Sequence, residues 1–259
     1  MAENERQRIQ KILAAAGKGS RREIERWIDE GRVRLGERVA VLGDRAGPGD
    51  ILRIDGKVVH LPDPAGGAQR VLIYHKPVGE VVTRRDPQGR RTVFESFPEV
   101  HENKWVAVGR LDINTSGLLL VTDSGELANE LMHPRYGLIR EYSVRVHGRV
   151  DEGGLLSLVN GVNLDDGLAR FQSIEEEVRQ GAETSANRWY RVTIAEGRNR
   201  EVRRLFAAAG VRVSRLVRVR YGPVSLPIEL RPGQWRELDQ DSVTRLKELV
   251  SRHLTRSAG

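Results

Sequence analysis

Apolar residues along this chain change their spacing several times, and each change predicts an element. Ile9, Ile12, Leu13 and Ala16 recur at helical intervals until Gly17 stops the helix. Ser20 followed by Glu23 makes a capping box for a second helix, whose Ile24, Trp27 and Ile28 share one face while Arg22 and Arg26 point away from it. Gly31 ends that helix, Val33, Leu35, Val39 and Val41 predict short strands around a Gly36 turn, and residues 50–59 predict another strand pair. The stretch 60–68, with two prolines, two glycines and little to bury, predicts a linker centred on 63–68.

From Gln69 to Val250 short strands alternate with a few helices, the pattern of an α+β domain. Residues 105–108 and 118–121 predict buried strands, and Asp123, Ser124 and Gly125 open a helix through Met132 that His133-Pro134 ends. Residues 140–146 alternate strictly, which puts Tyr142, Val144 and Val146 on the apolar face of a half-buried strand. Val202, Leu205, Phe206 and Ala209 form a helical stripe that Gly210 stops, with Arg203 at its flank and Arg200 and Arg204 projecting farther away. Residues 252–259 lack an apolar pattern and read as a frayed tail.

Charge changes this picture more than composition does. The chain of 259 residues has 43 Lys+Arg against 36 Asp+Glu, a formal charge of +7. The excess is concentrated: residues 196–222 hold eight arginines, and only Glu196 and Glu201 oppose them. A concentrated excess favours a polyanionic partner. The absence of cysteine excludes thiolate chemistry and cysteine-bound zinc and fits a reducing compartment. The charged N-terminus has no signal-peptide core, and no apolar run approaches the ~20 residues of a membrane span. A cytoplasmic protein without a membrane partner is expected.

One carboxylate stands out. Asp112 follows Arg110 and Leu111, enters a run of turn-forming residues and precedes an apolar strand. An isolated turn aspartate is ordinarily a turn or capping residue, so chemistry here needs partners from distant segments. A metal-dependent nuclease would need several converging carboxylates; none accompanies Asp112, and Asp165-Asp166 read as a turn. Tyr142, considered alone, is a packing residue.

The row Gly109-Arg110-Leu111-Asp112-Ile113-Asn114-Thr115-Ser116-Gly117-Leu118-Leu119-Leu120 resembles the catalytic motif of pseudouridine synthases, enzymes that isomerise uridine within RNA. Residues 140–146 resemble the second motif of that family and residues 196–210 the third, in the family's order. Arg8-Ile9-Gln10-Lys11-Ile12-Leu13, Ser20-Arg21-Arg22-Glu23-Ile24 and Gly31-Arg32-Val33 resemble the alpha-L RNA-binding domain. The overall match is to the RsuA-type bacterial enzymes, and residues 127–134, 187–190 and 213–216 point to the branch acting on large-subunit ribosomal RNA.

The resemblance implies an alpha-L domain over 1–62, the linker 63–68 and a mixed, largely antiparallel catalytic sheet flanked by helices over 69–251. It implies Asp112 as essential nucleophile or base, at sugar C1′, base C6 or sugar C2′. It makes Tyr142 the residue stacked on the target uracil and Arg203 the partner of the Asp112 carboxylate. Arg110, Leu111 and Val202 would contact the substrate nucleotide, with Arg110 helping to extrude it. Arg21, Arg22, Arg26, Arg198, Arg200, Arg204 and Arg215 would contact RNA; independently of the resemblance, the alternating run Arg212, Arg215, Arg218 and Arg220, with few carboxylates beside it, reads as a set of phosphate contacts. No cofactor or metal is expected, and the partner is ribosomal RNA or a precursor particle met by a monomer. The rivals are a small-subunit synthase and a non-catalytic assembly factor, which would need the basic patches but not Asp112, Tyr142 and Arg203 together.

Overall fold

The computed structural model describes residues 6–47, 49–59, 69–100, 104–177 and 186–256, of which 251–256 by backbone alone. The chain divides into two compact units with the main boundary between Gln69 and Arg70. The expected linker at 63–68 and residues 257–259 of the expected tail lie outside the described residues.

In the first unit, strand β1 (Gln7–Arg8) leads into helix α1 (Ile9–Ala15), and Gly17, at φ 70°, turns the chain away from it. Helix α2 (Arg21–Asp29) starts with the reciprocal box expected for it: the Ser20 hydroxyl accepts from Glu23 N–H at 3.2 Å, and the Glu23 carboxylate accepts from Ser20 N–H at 2.9 Å. Strands β2 (Val33–Leu35), β3 (Arg38–Val39), β4 (Arg45–Ala46), β5 (Leu52–Ile54) and β6 (Lys57–Val59) follow. They form an antiparallel sheet in the order β3-β2-β5-β6, while β4 pairs with β1. Ile9, Leu13, Ile24, Ile28, Val33 and Leu52 are its buried core. Val41, whose spacing predicts a strand position, lies past β3 and is exposed.

The second unit begins with β7 (Val71–Lys76), β8 (Val106–Ala107), β9 (Ser116–Thr122), α3 (Gly125–Met132) and β10 (Arg140–His147). It continues with α4 (Glu152–Asn160), the hairpin β11 (Val162–Leu164) and β12 (Gly167–Ala169), then β13 (Ser173–Glu177), β14 (Asn187–Ile194) and α5 (Glu201–Ala208). The chain ends through β15 (Arg212–Tyr221), β16 (Val224–Ser225), β17 (Trp235–Glu237) and α6 (Gln240–Arg256). The main sheet runs β13-β14-β10-β15-β9-β7-β17, with β8 on β9 and β16 on β15. All its pairings are antiparallel except β15 with β9, which makes it the mixed, largely antiparallel sheet expected.

The apolar run Leu118–Val121 needs no alternation because every residue of β9 is buried. Leu118 and Leu120 pack with Val71 and Ile73 of β7, Leu127 and Leu131 of α3, and Val243, Leu246 and Val250 of α6. The strand expected at 105–108 shortens to two residues, although Trp105 and Val108 are both buried. The expected tail is also corrected: α6 continues to Arg256, since no glycine or proline interrupts the backbone between Gln240 and Arg256. Among the described residues no helix is long and apolar enough to cross a membrane.

Candidate active site

The turn carrying Asp112 is held by its carbonyls. Asp112 O accepts from Thr115 N–H at 2.9 Å and from Lys76 Nζ at 3.2 Å. Ile113 O accepts from Gly79 N–H at 2.8 Å, Asn114 O from Arg203 Nη2 at 2.8 Å, and Thr115 O from Lys76 Nζ at 2.9 Å. Lys76 gives its remaining bond to Pro77 O at 2.9 Å and is fully buried at the end of β7. That burial pushes its ammonium down to about 8, against the opposing pull of Glu80 and Asp112. Every carbonyl from 112 to 115 is therefore satisfied by a fixed donor, while the Asp112 side chain on this rigid turn stays 31% exposed. Such rigidity removes the reorganisation that a reacting carboxylate would otherwise need.

Gly117 brings this turn against the next strand. It stands opposite Arg218 in the short parallel pairing of β9 and β15, at φ 109°, and a β-carbon there would lie 2.2 Å from the Arg218 carbonyl oxygen. Only glycine allows that approach. Arg218 is in turn opposite Tyr142 of β10, so Gly117, Arg218 and Tyr142 form one row across three strands. A register shift between Glu141 and Tyr142 interrupts the β10–β15 ladder at this row; bulges of this kind re-aim side chains beside functional sites. The Tyr142 residue is only 9% exposed, and its hydroxyl makes no hydrogen bond among the described residues.

Two cations near the turn exchange the parts expected of them. Arg203 makes no ion pair with Asp112 among the described residues; it donates Nη1 to Val213 O at 3.2 Å and Nη2 to Asn114 O. Its burial and the neighbouring Arg200 lower its hold on its proton, and the Asp112 charge opposes that shift. Arg200, expected to project away, instead approaches Asp112, with Nη1 3.9 Å from Oδ2. The reason is local: Arg200 is the N-cap of α5 and sits at φ 49°, in the left-handed region that a non-glycine residue enters at a cost.

The remaining site candidates divide by partner. Arg110 is exposed, while Leu111 and Val202 are buried. Arg198 bonds Glu196 at 2.6 Å and the Leu168 carbonyl at 2.9 Å, and Arg204 grips Asp166 with two bonds of 2.7 and 2.8 Å. Both are struts to the β11–β12 hairpin, so the guanidiniums expected at RNA are already partnered within the fold. Arg220 pairs with Glu141 at 2.6 Å, and Arg218 is buried with Nε on the Leu118 carbonyl. Arg212 and Arg215 are exposed and have no ion pair among the described residues. In the first unit Arg21, Arg22 and Arg26 are all exposed, and Arg26 lies 3.7 Å from Glu30.

Three residues were not visible as site residues. Lys76 carried a usable signal: it falls in phase with Leu72 and Tyr74, so a strand at 71–76 places a lysine on a buried face. Gly117 carried none, because its contact is with a residue 101 positions away in the chain. Glu201 looked like a helix-start carboxylate but is buried, with Oε2 accepting from Arg198 N–H at 2.9 Å and Oε1 without a hydrogen bond, 3.9 Å from Arg198 Nε; burial raises its pKa. Among the described residues no group of three or more His, Asp or Glu is placed to hold a metal ion.

Comparison with known proteins agrees with this anatomy. The family model for RNA pseudouridylate synthase matches residues 70–208, and that for the S4 domain matches residues 7–52. The chain is 52% identical over 246 residues to ribosomal large subunit pseudouridine synthase B of Escherichia coli (strain K12), covering 94% of this chain and 83% of that protein. It is 52% identical over 248 residues to the protein of the same name in Haemophilus influenzae, covering 95% of this chain and 68% of the other. A solved pseudouridylate synthase at 24% identity superimposes with a TM-score of 0.63, over 92% of this chain and 99% of that one, a likeness of fold.

Proposed function

The chain belongs to the RNA pseudouridylate synthase family, and from that premise we propose that it converts a uridine of large-subunit ribosomal RNA to pseudouridine. The reaction breaks the bond from base N1 to sugar C1′ and forms one from C5 to C1′; C5 loses its proton and N1 gains one. Atoms balance without an oxidant or a second substrate. The target must leave its stack before any side chain reaches it.

The observation that carries the assignment of roles is the row of Gly117, Arg218 and Tyr142 across β9, β15 and β10, with the clamped Asp112 turn leading into β9. Asp112 acts on the flipped nucleotide from a turn whose backbone does not need to move. The buried Tyr142 ring supplies the face on which the uracil stacks, and its unbonded hydroxyl is available to the C5 proton. Arg203 acts through the turn, by holding Asn114 and Val213, and Arg200 supplies the cation closest to the Asp112 carboxylate. Arg110, exposed beside the turn, fills the place that the flipped nucleotide leaves, with Leu111 and Val202 forming the apolar support beneath. The exposed Arg21, Arg22 and Arg26 of the first unit and Arg215 of the second hold the RNA backbone. The protein works as a monomer in the cytoplasm, on free ribosomal RNA or a precursor particle.

The test is release of tritium from uridine labelled at C5 in unmodified large-subunit ribosomal RNA, by wild type and by Asp112→Ala. Release by wild type with none by the variant supports the assignment. Release by both removes Asp112 from the chemistry. Release by neither, with tight binding, would make the protein an assembly factor.

A further inference from the structure

A cleft of about 400 Å³ lies between α5 and the start of β15, next to the Asp112 turn and separate from the Tyr142 row. Its rim is Arg200, Arg203 and Arg212, and its floor includes Ala207, Val211 and Val213. No carboxylate lines it. The rim is also short of partners: Arg212 has no ion pair among the described residues, Arg200 has only the 3.9 Å approach to Asp112, and Arg203 Nε is buried without an acceptor. Arg200 repels Arg203 and lowers its hold on its proton, and Arg212 lines the same cleft. An anion relieves that repulsion. Elsewhere in the unit the comparable cleft, of about 480 Å³ beside Trp235, has its arginine Arg236 bonded to Glu229 at 3.0 Å.

We propose that this cleft is a second nucleotide subsite, which takes an unpaired nucleotide flanking the target uridine, with its base on the apolar floor and its phosphate on Arg200 and Arg212. Small apolar residues under guanidinium planes suit a nucleobase, which stacks on arginine irrespective of its identity. Adjacency to the target follows from two shared residues. Arg200 lines the cleft and reaches Asp112, and Arg203 lines it while bonding Asn114 of the catalytic turn. A strand entering the active site thus has its next nucleotide one arginine's length away. The subsite rests on the reading of the chain as an enzyme acting on RNA, and it adds a recognition element to that reading: the substrate must be unpaired beside the target as well as at it.

The absence of cysteine from the chain supplies the test. Ala207→Cys and, separately, Asn114→Cys are labelled with a thiol-reactive benzophenone, bound to unmodified large-subunit ribosomal RNA and irradiated. The two positions should crosslink to one short stretch of a single strand, no more than a few nucleotides apart. Crosslinks farther apart, or labelling from position 114 without labelling from 207, would overturn the subsite. Pseudouridine in the same RNA is scored separately, so failure of the isomerase reading leaves the crosslink comparison intact. In unlabelled protein, Arg212→Ala should lower the salt slope of RNA binding by about one ion, and Arg212→Lys should restore it. An unchanged slope in a folded Arg212→Ala protein would remove the phosphate from the cleft.

Discussion

Two sets of arginines stand at the two ends of β15, each including one of its residues and others from neighbouring elements, and the same residue type does opposite things in them. At one end Arg220 shares Glu141 with Arg191, which also reaches Glu177, so each guanidinium is matched by a carboxylate. Burial raises the Glu141 pKa and the bonds from Arg191 and Arg220 more than reverse it, leaving it lowered overall. At the other end Arg200, Arg203 and Arg212 surround a cleft without a carboxylate in its lining. The first set is a structural ladder whose charges cancel. The second keeps its charge for a polyanion, which is where counterion release is gained. Counting arginines does not separate the two; their acidic partners do.

The largest effect that would sharpen this contrast is at Arg203, the cleft arginine committed to the backbone of the catalytic turn. Arg203→Met leaves the Asn114 and Val213 carbonyls without their donor. We expect kcat to fall about a hundredfold, the typical result of a misplaced reacting group, and stability to fall by about 1–3 kcal/mol for the carbonyls left unpaired. Single-turnover kinetics and urea unfolding read the two separately. Wild-type kcat in a destabilised protein would leave Arg203 a folding residue only.

Lys76 gives the next largest effect and a pH signature. Lys76→Met removes the donor from three carbonyls and should cost about 1–3 kcal/mol at neutral pH. The ammonium titrates near 8 in the folded protein and at its ordinary 10.5 when unfolded. Between these values the unfolded chain binds more protons, so the wild type gains stability as pH rises from about 8 towards 10.5. The variant lacks that gain. The difference in urea midpoint between the two proteins should therefore widen over this window; a constant difference would mean that folded and unfolded Lys76 hold their proton equally, with no downward shift from burial.

The sequence was a good guide wherever the determinant was local. Ser20 and Glu23 announce the α2 cap, and Leu118 through Val121 announce a buried strand. The position of Asp112 between apolar elements is legible in the same way. What escaped depends on contacts between distant segments or on backbone conformation. Arg200 turns towards Asp112 because of a left-handed φ that no spacing pattern encodes. Arg203 was matched to a carboxylate by resemblance, whereas the carbonyls it bonds are set by how β15 and the turn pack. The ties of Arg198 and Arg204 to the β11–β12 hairpin escaped because Asp166, the carboxylate that both approach, lies more than thirty residues earlier in the chain.

The smallest effect is the most direct test of whether partners decide the role. Arg204 on α5 and Arg212 at the start of β15 each contribute one positive charge, and deleting either changes the net charge equally. Arg204 is neutralised by two bonds to Asp166, and exposed pairs of this kind contribute little to stability. Arg204→Gln should leave the urea midpoint, the KM for RNA and the salt slope close to wild type. The Asp166 carboxylate it frees is exposed and screened beyond about 8 Å at physiological ionic strength. If Arg204→Gln instead lowers the salt slope as much as Arg212→Ala, local pairing does not select the RNA-binding arginines. The summed positive field of the α5–β15 region would then attract RNA, and the division between ladder and cleft would carry no functional meaning.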